Sequence, residues 1–134
     1  MAFVHGKTVH FEIDNSGGSP VDISAYEMKV DFPRTADTAE TSTFGSTDKT
    51  FLPGLKGATM TIDGYFDATA DAVLSGIIGV SGSFIYGPAG NTGGYTKYSG
   101  ECICTAYNVS GEVGAIVKAT ASFTINGAVS RGTF

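Results

Sequence analysis

The chain has 134 residues, of which 42% are hydrophobic, 16% charged and 19 glycine; that length makes one domain with a core, burying roughly two-thirds of its unfolded surface, and excludes a disordered polymer. A formal net charge of −5, with Lys and Arg scattered singly, excludes tight nucleic-acid binding through phosphate neutralisation. No apolar run approaches the ~20 residues that a membrane-spanning helix needs.

The opening stretch MAFVHGKTVHFEID lacks a basic head followed by an apolar segment and small-residue cleavage site, which predicts a protein kept in the cytosol unless it leaves as part of something larger. Within it, Thr8–Asp14 alternates Val9, Phe11 and Ile13 against polar neighbours, the period of a strand with one buried face. NSGGSP breaks the chain, VDISAY turns it, and Glu27–Phe32 alternates again, with Met28, Val30 and Phe32 on one side and Glu27, Lys29 and Asp31 on the other. Next comes a Thr/Ser-rich stretch of about residues 33–55, read as a long unstructured loop. Loops of that length in compact domains tend to be functional, and Phe44, Phe51 and Leu52 give this one apolar surface that favours an ordering partner.

Strand character resumes at Lys56–Phe66, with Ala58, Met60, Ile62, Gly64 and Phe66 inward and Thr59, Thr61, Asp63 and Tyr65 outward, so two strands bracket the loop like a hairpin stem. Asp67 has the character of an N-cap for one short helix, with Ala68, Ala72, Val73 and Ile77 toward the core and Gly76 and Gly79 ending it. Val80–Tyr86, Tyr95–Val109 and Gly114–Asn126 read as strands, the last with Ala115, Val117, Ala119, Ala121, Phe123 and Ile125 inward. The expectation is a single domain over residues 1–134, mainly β: an antiparallel β-sandwich or barrel with one short α-helix.

Little in the chain has the makings of a reaction centre. His5 and His10 fall on opposite sides of an extended chain and are expected to be solvated. Cys102 and Cys104 share a strand face at a Cα separation near ~6.6 Å, the far edge of disulfide geometry, and are expected as two buried thiols. Gly87–Gly94 lacks the Gly-Lys-Ser/Thr ending of a phosphate loop and reads as a hairpin tip. Tyr86, Tyr95, Tyr98 and Tyr107 suggest a sugar-stacking platform or, more simply, cross-strand aromatic pairing. No enzymatic role and no cofactor or metal are expected.

Val30–Asp67, VDFPRTADTAETSTFGSTDKTFLPGLKGATMTIDGYFD, and the final stretch from Tyr98, YSGECICTAYNVSGEVGAIVKATASFTINGAVSRGTF, closely resemble the major tail (tail tube) proteins of long-tailed bacteriophages. The resemblance implies a structural subunit whose partners are identical copies, forming hexameric rings that stack into a tube, together with other tail proteins such as the tape measure and tail terminator. DNA then passes through the lumen without specific binding, no membrane is involved, and the protein resides in the virion tail after assembly in the bacterial host cytoplasm. It also implies that the long loop meets the neighbouring ring. Phe44, Phe51 and Leu52 are then anchors, with Arg34, Asp37, Glu40, Asp48 and Lys49 setting register. The hairpin stem lines the lumen through Glu27, Lys29, Asp31, Thr59, Thr61, Asp63 and Tyr65. A tube subunit of a contractile or secretion particle, and a monomeric carbohydrate-binding β-sandwich, are the alternatives.

Overall fold

A computed structural model describes residues 3–134. Eight strands form the fold: β1 His10–Asp14, β2 Pro20–Asp22, β3 Glu27–Asp31, β4 Arg34–Glu40, β5 Phe51–Tyr65, β6 Ser81–Gly87, β7 Thr96–Ser110 and β8 Lys118–Thr133. One helix, α1 Ala68–Leu74, follows β5. The strands pair antiparallel in the order β2-β1-β6-β7-β8-β5-β3, with β4 pairing β5 off that path. The sheet curls into a half-barrel around one core that includes Phe11, Phe84, Phe123, Met60 and Ile62, all 1–2% exposed or less. The two outermost strands, β2 and β3, are consecutive in the chain. Ser24 between them takes the place of a strand neighbour for β1: its Oγ accepts from Phe11 N at 2.7 Å and donates to Phe11 O at 3.2 Å.

Inward alternation is as expected in β1 (Phe11, Ile13), β5 (Met60, Ile62, Gly64) and β8 (Ala121, Phe123, Ile125). Asp67 caps α1, its Oδ1 accepting from Thr69 N at 2.8 Å, as a β-region N-cap should.

Several expectations are corrected. The stretch after Pro33 is not an unstructured loop. Strand β4 pairs with the first half of β5 from Arg34↔Ala58 to Glu40↔Phe51, leaving only about residues 41–50 as a tip, itself cross-linked by Thr41 N to Thr50 O at 2.8 Å. Every residue of β4 is exposed. A ribbon wet on both faces has no apolar period to betray it, although its many Thr residues suit an extended backbone.

Met28 is 53% exposed, not inward, because the β3–β5 register shifts between Glu27 and Lys29, and a one-residue slip turns side chains over. The helix buries Ala70, Val73 and Leu74, with Ala68 and Ala72 exposed: the cap fixes where the helix starts, and the sheet fixes which stripe it covers. Phe66 is exposed as the chain leaves the sheet, and Ala115 and Val117 precede β8 in an exposed turn. His10 is buried, its Nε2 2.8 Å from Glu12 Oε2 and its ring edge-on to Phe134.

Candidate functional site: the exposed arm and the open sheet edges

The β4–β5 ribbon is an arm. Its seven β4 residues extend it by ~23 Å at ~3.3 Å per residue. Of the residues expected to serve ring stacking, Asp37, Glu40, Phe44, Asp48, Lys49, Phe51 and Leu52 are brought together on this arm and its tip, all exposed. Phe44 is fully exposed at the tip, and Phe51 and Leu52 sit opposite Glu40 and Ala39. The register shifts by one between Ala36 and Thr38, so Asp37 alone faces Gly54 and Leu55. Gly54 suits that position, since a Cβ there would lie 3.2 Å from Asp37 Cβ and O.

Arg34 is different. It begins the arm, but its guanidinium stacks on the chain's own body, 4.8 Å from the Tyr98 ring centroid and 5.8 Å from that of Phe32. Phe32 in turn meets Phe84, Tyr86 and Tyr98 edge-on at 5.7–6.0 Å. Tyr86 and Tyr98 stack on each other across β6 and β7, 6.3 Å apart. This aromatic root explains two of the four tyrosines as packing and holds the arm's base to the sheet. Composition alone hid it, because Phe32 lies more than fifty residues from Phe84, Tyr86 and Tyr98 in the chain.

The stem residues divide as well. Lys29, Asp31 and Thr59 are exposed, while Thr61 and Asp63 are half-buried, with Asp63 Oδ1 accepting from Thr120 Oγ1 at 2.9 Å. Glu27 lies at the β3 bulge with its carboxyl turned against Gly64. Its Oε2 is buried and has no hydrogen-bond partner among the described residues. Burial, with the nearby Asp63 carboxylate adding to it, pushes the Glu27 carboxyl up to about 7. Beside the bulge lies a cleft of about 300 Å³ between β3 and the segment leading into β1, lined by Phe11, Ser24, Glu27 and Val30 among others.

Several strand edges are open among the described residues: the sheet ends at β2 and at β3, β4 is paired only with β5, and β5 and β8 part as a fork. Strand β3 has a partner only on its β5 side. Strand β5 leaves β8 after Thr59↔Thr124 to run out with β4, while β8 continues alongside β7 as far as Thr133↔Thr96. The fork between them carries unpaired backbone groups on both prongs, a template for further strand pairing.

No family model and no curated protein matches the chain in sequence. Solved structures do match it along nearly its whole length. The virion of a native gene transfer agent particle aligns at 18% identity with a TM-score of 0.80, covering 98% of this chain and 100% of that one. The tail of an empty gene transfer agent particle, with C6 symmetry, aligns at 15% identity and a TM-score of 0.77, covering 98% and 100%. The SPP1 tail tube aligns at 14% identity and a TM-score of 0.72, covering 98% of this chain and 80% of that one. The chain has the tail-tube fold. At 14–18% identity the likeness is one of fold, held along nearly the whole chain.

Proposed function

We propose that this protein is the structural subunit of a phage-type tail tube, assembling with identical copies into six-membered rings that stack around a lumen through which DNA passes. The observation that carries this reading is the arm: a paired ribbon of which every β4 residue is exposed, together with the open edge at β3 and the open fork between β5 and β8. A lone soluble domain has no use for such surfaces, whereas cyclic association completes them. The six-fold symmetry of the similar gene transfer agent tail supports the ring number.

In this reading Asp37, Glu40, Asp48 and Lys49 set register between rings, and Phe44, Phe51 and Leu52 are the apolar anchors. Lys29, Asp31, Thr59, Thr61 and Asp63 face the lumen. Two acids against one base, with Glu27 adding charge as it ionises, make a mildly negative wall that phosphates do not adhere to. Partners are other copies, a tape-measure protein and a terminator, the site of action is the virion tail after assembly in the host cytoplasm, and the role is mechanical.

Negative-stain microscopy of the concentrated protein tests it: hollow filaments are expected, and a chain that stays monomeric at every concentration overturns it. Deleting residues 35–47 should leave a folded domain unable to polymerise. For the lumen, Asp31→Lys with Thr59→Lys, both at exposed positions, should slow DNA ejection from particles whose tubes remain intact. Unchanged ejection kinetics would refute the lumen assignment alone.

A further inference from the structure

Strand β8 has a distinctive feature at each end. At its start, the β7–β8 turn, Gly111–Val117, projects beyond the sheet with Val113 102% and Ile116 65% exposed. Glu112 is the only charged residue from Asn108 to Val117. This apolar knob lies at the same end of the sheet as α1, since β7 and β8 close at Ser110↔Lys118 and β5 reaches Tyr65 beside Lys118.

At the other end, past Thr124, the fork between the arm and β8 encloses an open groove of about 830 Å³. Its floor includes Ala58, Ile125, Ala128 and Val129, and the charged residues of its lining are Arg34 and Lys56. Strand β8 bulges at this floor: Ser99↔Ser130 and Glu101↔Asn126 leave Gly100 alone opposite Gly127, Ala128 and Val129. Gly127 takes φ 90°, and Gly100 gives room for the Ala128 carbonyl, only 3.0 Å from where a Cβ would be.

We infer that the groove receives the β7–β8 turn of a second copy, the arm closing over it as one wall of a clasp. Two observations carry this. Knob and groove are on opposite ends of the same strand, some ~23 Å apart over Lys118–Ile125, so a knob cannot reach its own groove and a second copy must supply it; in a stacked tube that contact is head-to-tail. A heterologous contact that does not close into a ring propagates without limit, as a stacked assembly requires. The chemistry also matches: an apolar tip with one carboxylate enters an apolar floor whose charges are both positive, the arrangement that selects a partner and its register.

The inference rests on the tube reading and names the surface the arm engages. Val113→Cys combined with Ala128→Cys should give a ladder of disulfide-linked oligomers when filaments are oxidised, and neither single variant should ladder. Glu112→Lys and Lys56→Glu should each raise the concentration needed for polymerisation by about tenfold or more, and the double exchange should recover most of it. Both side chains are exposed, and circular dichroism of the variants checks that the fold is intact. Wild-type protein that never polymerises defeats the tube reading itself. Wild-type filaments in which the cysteine pair gives no ladder, or in which the exchange gives no recovery, overturn the knob-in-groove contact while leaving the tube reading in place.

Discussion

The Arg34 guanidinium lies 4.8 Å from the centroid of the Tyr98 ring, joining the first residue of the arm to a strand of the body. A cation over an aromatic face contributes about 0.5–1 kcal/mol at a partly exposed site, enough to bias where the arm points without fixing its tip. Arg34→Ala is expected to lower global stability by no more than that amount while raising amide hydrogen exchange across Thr35–Glu40. Tyr98→Ala should produce the same local exchange, and Arg34→Lys, lacking the planar stack, an intermediate one. Unaltered exchange in the alanine variants would show that the ribbon holds its direction without the aromatic root.

Glu27 makes stability depend on pH. Its carboxyl titrates near 7 in the folded chain against an ordinary value of 4.5, so between those values the folded state holds a proton that the unfolded state has released. Stability therefore falls as pH rises from about 4.5 to about 7 and is level above it. Allowing for the partial access of water, the loss is on the order of 1–2 kcal/mol. Glu27→Gln should remove this dependence, gaining stability over the parent at pH 8 and little at pH 4.5. Urea unfolding of both proteins across that range measures it, and parallel curves would count against a buried Glu27 carboxylate.

Gly64 should not tolerate a side chain. A Cβ there would fall 2.2 Å from Tyr26 O and 2.9 Å from Glu27 Cα, both backbone atoms, so accommodation requires β3 to move away from β5. Gly64→Ala is expected to cost about 2–3 kcal/mol by overpacking. Gly57→Ala, with open space around its Cβ, serves as the control with an effect several-fold smaller by thermal unfolding.

The two thiols should be silent in the native protein. Cys102 and Cys104 are free and 1–2% exposed. Burial, reinforced by Cys104 and then Glu101 and Asp14, pushes the Cys102 thiol up to about 12. Reaction needs the thiolate and a path to it. A chromogenic disulfide at pH 8 should therefore find neither thiol until urea unfolds the chain, when both should react. Rapid labelling of the folded protein would contradict the burial of this strand pair.

Much of the architecture was legible in the sequence wherever one face of an element is dry. The alternation of Phe11 and Ile13, of Met60 and Ile62, and of Ala121, Phe123 and Ile125 reports a buried side directly, because burial on one face imposes a period of two. Asp67 announced α1 for an equally local reason: its side chain satisfies an amide two residues away. Where both faces are wet, as in β4, no period exists. The pairing of Arg34–Glu40 with Phe51–Ala58 became visible only in the register itself.

What the sequence determined by itself, then, was the inventory: a mainly β domain, one capped helix, buried thiols and a Thr-rich excursion between two strands. Tertiary structure decided how those parts face one another. It turned Met28 outward through a bulge, enclosed the Glu27 carboxyl against Gly64, rooted Arg34 on Tyr98, and split β5 from β8 to form the groove. Each of these depends on register between strands distant in the chain, where a shift of one residue exchanges the inner face for the outer, and no local pattern records it.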